Sequence, residues 1–285
     1  MSKTNPDKLI KNVGIGILVL AFLISLFHFY PKDWKFNSVI NAFYANISTE
    51  LISIAITILL INYLYEVKEK LALKTRLIRE LGSEDKGFTA RALKEIKEFG
   101  WLTDGSLESC DLSLANLSGL DLSNAKLKGA IISKANLKGA ILMNADLTNV
   151  DFSETDLANS ILTGSTLSKT KFIEADLYAA NFNNTRIQTC DFLKANLELT
   201  KLRDTEICDT LLEEANLSFA DLEDSKIKKC KLLRADFSGI NLKNSSFERN
   251  DIKGIINWDK ANHLDCAKFN GTENPPNGFL ELTNH

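Results

Sequence analysis

Residues 111–150 read DLSLANLSGL DLSNAKLKGA IISKANLKGA ILMNADLTNV. Every fifth residue is large and aliphatic: Leu112, Leu117, Leu122, Leu127, Ile132, Leu137, Leu142 and Leu147. An amphipathic helix repeats every 3.6 residues and a flat strand every 2, so a period of five is neither. It describes a chain that turns a corner every five residues. One large and one small side chain then point inward per side, and the other three face water.

The rhythm extends in both directions. From Leu107 to Ile252, all thirty positions on this five-residue grid are Leu, Ile or Phe. The position two before each centre is mostly Ala, Ser, Thr or Cys, with Leu120, Ile240 and Asn250 as clear exceptions. A slower period lies over the fast one. Taking the residue before the centre at every fourth repeat gives Asn116, Asn136, Asp156, Asp176, Asn196, Asn216 and Asp236, all Asx. A second set gives Lys126, Asp146, Thr166, Arg186, Glu206, Lys226 and Ser246, with one Asx in seven. Residues twenty apart therefore share an environment, and four pentapeptides make one coil. The sequence predicts a square β-solenoid of about seven and a half coils, roughly 36 Å long at the usual strand spacing. The Asx column is expected to be structural, its side chains bonding nearby backbone at a corner.

These residues resemble the pentapeptide-repeat family, whose pattern A-(D/N)-L-x-x is met at Ala115-Asn116-Leu117, Ala135-Asn136-Leu137, Ala175-Asp176-Leu177 and Ala235-Asp236-Phe237. The resemblance covers residues 105–254. It implies a right-handed quadrilateral β-helix and a bacterial origin, and it leaves function open, since one fold serves many functions. Members that imitate DNA act on gyrase, so a DNA-mimicking topoisomerase regulator is the alternative function. Against it stand a net charge of only −5 over residues 101–256 and a basic group at Lys226, Lys228, Lys229 and Lys231.

The N-terminal part has another character. Val13–Tyr30 carries no formal charge with His28 neutral, and Pro31 follows. A second apolar run, Leu51–Tyr65, can extend back toward Val39 past Glu50. These lengths predict two transmembrane helices over residues 13–65, with Tyr30, Trp34, Tyr63 and Tyr65 at the interfaces. A cleaved leader is the alternative for the first run and a buried soluble helix for the second; no A-x-A site follows the first. Lys3, Lys8 and Lys11 precede the spans, only Lys32 and Lys35 lie between them, and Lys68, Lys70, Lys74, Arg76 and Arg79 follow. By the positive-inside rule the tail 1–12 and the β-helix are both cytoplasmic. Five cysteines, an odd number without C-x-x-C, fit free thiols in a reducing compartment.

Between spans and repeat, residues 66–100 read as a helical connector and cap. One helix reaches Leu81, Gly82 ends it, Ser83 caps the next, and Phe88, Ala92, Leu93, Ile96 and Phe99 form that helix's apolar side. After the β-helix of 101–256, residues 257–285 read as a C-terminal cap or tail in which Leu264, Ala267 and Phe269 resume the rhythm shifted by two.

No catalytic cluster, zinc spacing or phosphate loop stands out, so neither enzyme activity nor a cofactor, metal or small-molecule substrate is expected. The acidic repeat also argues against nucleic acid. One surface feature does stand out. Outward positions on the side bearing Leu112 include Ile131, Ile173, Leu193, Leu211 and Leu233, and an adjacent side has Ile141, Met143 and Ile161. An exposed apolar stripe at coil spacing marks an interaction surface. The expected function is a non-enzymatic, membrane-tethered scaffold whose partners are lipid and either an unidentified protein or a second copy.

Overall fold

The computed structural model describes residues 6–27 and 37–279, with side chains from 13–23 and 46–279. The expected hairpin connection, with Tyr30, Pro31 and Trp34, lies outside the described residues. The chain divides into two units, Met1–Thr75 and Arg76–His285.

The first unit contains α1 (Pro6–Phe27) and most of α2 (Asn37–Leu81). Its contact seam is made of small or polar residues at seven-residue spacing. Gly14 and Ala21 are buried on α1, and Ser48, Ala55 and Asn62 on α2. The helices approach closely: a Cβ on Gly14 would lie 2.8 Å from Leu59 Cδ2. The large apolar side chains point away from the seam; Val19, Phe22, Ile56, Leu60 and Ile61 are all more than half exposed. Asn46–Leu81 of α2 is long and apolar enough to cross a membrane, with a mean hydropathy of 1.8 in its best window, and Val13–Leu23 is a shorter apolar helix. The apolar run that begins at Leu51 therefore sits inside one unbroken helix that continues to Leu81.

The second unit is a parallel β-solenoid with a helical cap. Ladders of paired residues step by twenty, one running from Asp111 through Ile131 and Asp151 to Asp251, another from Asn116 through Asn136 to Ile256; the first ends in a longer step of twenty-two, from Asp251 to Glu273. The thirty centres on the five-residue grid are buried. The phenylalanines among them stack across coils: Phe172 lies 5.2 Å from Phe152 and 4.7 Å from Phe192, ring to ring.

The backbone is satisfied in a repeating way. In Ala135–Gly139, the Ala135 N–H donates to Ile132 O within the turn. The Asn136 N–H donates back one coil to Ala115 O, while those of Leu137 and Gly139 donate forward to Asp156 O and Ala158 O. Lys138 N–H is taken by the Asn136 side chain at 3.1 Å. No donor is left over, which is what a buried solenoid requires. The turn residue two after each centre has positive φ, whether Gly139 at 67° or Lys134 at 60°, as a type II turn demands of its third residue.

The two sets singled out in the sequence take different backbones. All seven Asx residues of the first column accept the N–H two residues on, at 2.9–3.3 Å. The expected structural role of that column is what the structure shows. On the side with Thr166, Arg186, Glu206, Lys226 and Ser246, the chain stays extended as β1 (Thr166–Ser168), β2 (Arg186–Gln188), β3 (Glu206–Cys208), β4 (Lys226–Lys228) and β5 (Ser246–Glu248). The corner after these strands needs another acceptor. The Cys190 N–H finds Thr210 Oγ1 at 3.3 Å, and the Cys230 N–H finds Asn250 Oδ1 at 2.8 Å. Asn250 also donates to Ile227 O at 2.9 Å. This explains the one asparagine at an inward small position: fully buried, it serves two backbone groups left by the extended corner.

Both ends are covered. Helix α3 (Lys86–Glu98) buries Thr89, Ala92, Leu93 and Ile96. Thr89 Oγ1 donates to Asn116 O at 2.6 Å, and the Asn116 N–H reaches Ser83 O at 2.8 Å. Two expectations for this helix are corrected. Its N-cap is Asp85, whose carboxylate accepts from the N–H groups of Gly87 and Phe88; Ser83 Oγ instead accepts from the Asp85 N–H. Phe88 and Phe99 are about half exposed, because the face toward the first coil is made by shorter side chains. At the other end β6 (Lys268–Asn270) pairs with β5, and Phe279 is fully buried against Phe269 and Trp258.

Candidate interaction surface

Since backbone groups are used within and between coils, the solenoid meets its surroundings through columns of outward side chains. The side bearing Leu112 carries the expected surface. Ile131 is 45% exposed, while Ile173, Leu193, Leu211 and Leu233 are half-buried. Register places Ile173 and Leu193 in adjacent coils, with Glu213 and then Leu233 further along the same column. Leu211 stands between Asp191 and Lys231 in the neighbouring column. Ile131 is separated from this group, because Asp151, Lys171 and Asp191 intervene before Leu211. The stripe is thus a cluster of four with an outlier.

Ion pairs edge it. The corner column holds Lys134–Glu154 at 3.5 Å, Lys194–Glu174 at 3.9 Å and Arg234–Glu214 at 2.6 Å. Each pairs residues one coil apart. They are exposed pairs, each contributing little energy, and they cancel the charge of this border. The lysine group is tempered the same way: Lys228 meets Glu248 at 3.3 Å, and Lys226 lies in register between Glu206 and Ser246.

Sequence reasoning missed a further apolar group. On the side bearing Leu117, Tyr178, Leu199 and Phe219 are 38%, 42% and 58% exposed. Leu199 and Phe219 occupy turn positions at φ of 58° and 57°. The Phe219 ring lies over Gly239, where a Cβ would come within 2.6 Å of it. The available signal was two bulky apolar residues twenty apart in a turn column that elsewhere holds Gly119, Gly139, Asn159, Ala179 and Gly239.

Chemically the surface is quiet. Burial pushes the Cys110 thiol up to about 11 and that of Cys230 to about 12, so neither is a nucleophile near neutrality. A narrow void inside the solenoid is lined by Phe182, Phe192, Leu202, Phe237 and other apolar residues, with no group for acid–base work. Among the described residues, His263, Asp265 and Cys266 bring donor atoms within 4.8 Å of one another, all exposed. Sequence reasoning passed over them because their spacing matches no zinc motif. The run His-Leu-Asp-Cys, just where the repeat slips register, was the signal.

Comparison with known proteins agrees with this architecture. A model described as a pentapeptide repeat region matches residues 135–210, and one of pentapeptide repeats in eight copies matches 110–149 and 209–244. No curated protein sequence matches. Solved structures that align include QnrB1, a plasmid-mediated fluoroquinolone resistance protein, at 16% identity and a TM-score of 0.32 over 62% of this chain and 94% of that one. HetL, involved in heterocyst differentiation regulation in Nostoc sp. strain PCC 7120, aligns at 22% identity and a TM-score of 0.28 over 63% and 91%. Rfr23 of Cyanothece 51142 aligns at 20% identity and a TM-score of 0.28 over 46% and 93%. Likeness of this degree says nothing about what the present chain binds. The repeat models and the twenty-residue ladders together place the solenoid of this chain in the pentapeptide-repeat family.

Proposed function

We propose that this protein is a non-enzymatic scaffold, tethered to a membrane by α1 and α2, whose solenoid presents a rigid surface to a protein partner. The observation that carries the tether is the inverted hairpin. Its buried seam is small or polar, and its exposed face is large and apolar. Water would penalise that arrangement, whereas lipid is its natural solvent. The lysines and arginines after Tyr65 favour a cytoplasmic solenoid, facing anionic lipid near the membrane.

The scaffold reading rests on the solenoid itself, where side-chain columns vary freely over a fixed core. The cluster Ile173, Leu193, Leu211 and Leu233, bordered by neutralised charge, is the favoured contact, with Ile131 beyond it. Against the DNA-mimic alternative, the acidic residues of one corner column, Glu154, Glu174 and Glu214, are paired with Lys134, Lys194 and Arg234, and the repeat carries little net negative charge.

Crosslinking and pull-down of the full-length protein from native membranes tests this reading, comparing the natural chain with Leu193→Asp/Leu233→Asp. Both side chains are on the surface, so the fold should survive. A specific protein captured by the natural chain and lost in the double variant is the expected result. Equal capture by both would remove this surface from the proposal, and recovery of the natural chain in the soluble fraction would remove the tether.

A further inference from the structure

The final coil departs from the twenty-residue pitch. Asp236 pairs with Ile256, but Asn241 pairs with Asn262 and Ser246 with Lys268. One residue has been added before Asn262 and another between Asn262 and Lys268. The second addition is absorbed by a short 3-10 turn, Leu264–Cys266, entered through His263 in the left-handed conformation at φ 59°. His263, Asp265 and Cys266 project from this turn into solvent with their ligand atoms within 4.8 Å of one another. We propose that this inserted turn is a surface site for one zinc-class divalent cation, held by His263, Asp265 and Cys266.

The donor set fits such an ion. Imidazole nitrogen, thiolate sulfur and carboxylate oxygen are the zinc ligands of proteins, at about 2.0–2.3 Å from the metal. Donors around one tetrahedral ion are then about 3.3–3.8 Å apart. The observed spacing is wider than that range, and all three donors sit on exposed side chains that rotation brings toward one ion. One thiolate and one carboxylate also balance the two charges of the ion. A carboxylate cluster alone would point to no particular ligand; nitrogen and sulfur beside the carboxylate favour a borderline-soft metal over calcium or magnesium.

The backbone below is held in place. The Cys266 N–H donates to His263 O at 3.1 Å and that of Ala267 to Leu264 O at 3.3 Å. Leu264 and Ala267 are buried beneath the turn. On either side, Asn262 Nδ2 donates to Gly239 O at 2.8 Å and the Lys268 N–H to Ser245 O at 2.9 Å. Three ligands on a pinned turn lose little freedom on binding. The neighbouring cation, Lys243, is engaged by Glu223 at 2.6 Å. With three protein donors the ion keeps an open position, for water or for a group from outside the site.

Cobalt(II) titration of the reduced, detergent-solubilised full-length protein tests the site. The expected result is one equivalent bound, a thiolate-to-cobalt charge-transfer band, and its displacement by zinc(II). Cys266→Ser should abolish the band and His263→Ala should weaken binding at least tenfold, each with an unchanged circular dichroism spectrum. Cys208→Ser, which removes another partly exposed thiol, should change nothing. Absence of the band, or a band that persists in both Cys266→Ser and His263→Ala, overturns the proposal.

Discussion

The two units solve the same problem in opposite ways. In the solenoid Leu, Ile and Phe are inside, and Lys, Glu, Asn and Ser make most of the outside. In the helical hairpin Gly14, Ala21, Ser48, Ala55 and Asn62 are inside, and Val19, Phe22, Ile56 and Ile61 are outside. Hydrophobic burial drives the first arrangement. In the proposed lipid setting it would not drive the second, where close packing of small residues would bring the helices together. The contrast shows that burial has to be read against the solvent: an exposed isoleucine carries one meaning on the hairpin and another on the solenoid.

The comparison can be broken at its strongest point, the solenoid core. Phe172→Ala removes a ring stacked between two others, and should destabilise the solenoid by about 3–5 kcal/mol. Urea denaturation of the detergent-solubilised protein checks it; a loss below about 1 kcal/mol would mean that the phenylalanine stack is not tightly packed. A matched pair of arginine substitutions sharpens the contrast of solvents. Ile56→Arg should cost about 2.5–3.5 kcal/mol of membrane insertion, read as release of protein from membranes at high pH. Ile131→Arg, equally apolar and also exposed, should change solenoid stability by no more than about 0.5 kcal/mol. Equal behaviour of the two variants in both assays would erase the distinction.

The smallest expected effect is at the capped end of the solenoid. Ser123 and then Lys97 of α3 hold the Asp121 carboxyl below its usual 3.8, at about 2. The folded carboxyl is the stronger acid, so the unfolded chain takes up the proton first as pH falls. The contribution is therefore present above about pH 4 and fades toward pH 2. Lys97→Ala should reduce that acid sensitivity in a pH series of thermal melts, and an unchanged profile would show that the Lys97–Asp121 contact is screened away by water.

Much of the solenoid was legible because its constraints repeat. A centre must be large and apolar, so Leu112 through Ile252 announce themselves, and the Asx column is visible because Asn and Asp bond their own backbone two residues on more readily than other side chains do. Other features leave no such mark. Positive φ at Lys134, Glu154 or Arg234 is imposed by the coil and not chosen by the residue, so these corners look like ordinary surface. Asn250 read as a flaw until the orphaned Cys230 N–H supplied its reason. The cap at Asp85 was misplaced because Ser83 and Asp85 are both good caps, and backbone geometry decides between them. In the hairpin, composition marks the apolar stretches but not which side of each helix is buried. The candidate surface was found as a set of residues, and only the register revealed that Ile131 stands apart and that Leu199 and Phe219 open a further apolar side.

The twenty-residue pitch gives the chain an unusual grammar of insertion. Position along the sequence is an address with two coordinates, the side and the coil. Adding twenty residues would extend the coil count and leave every later side chain on its original side. Adding five would rotate everything that follows by a quarter turn, so that each downstream column would be displayed in a new direction with the core still in phase. A gene that gains or loses repeats can thus redirect a whole surface without altering a single contact residue.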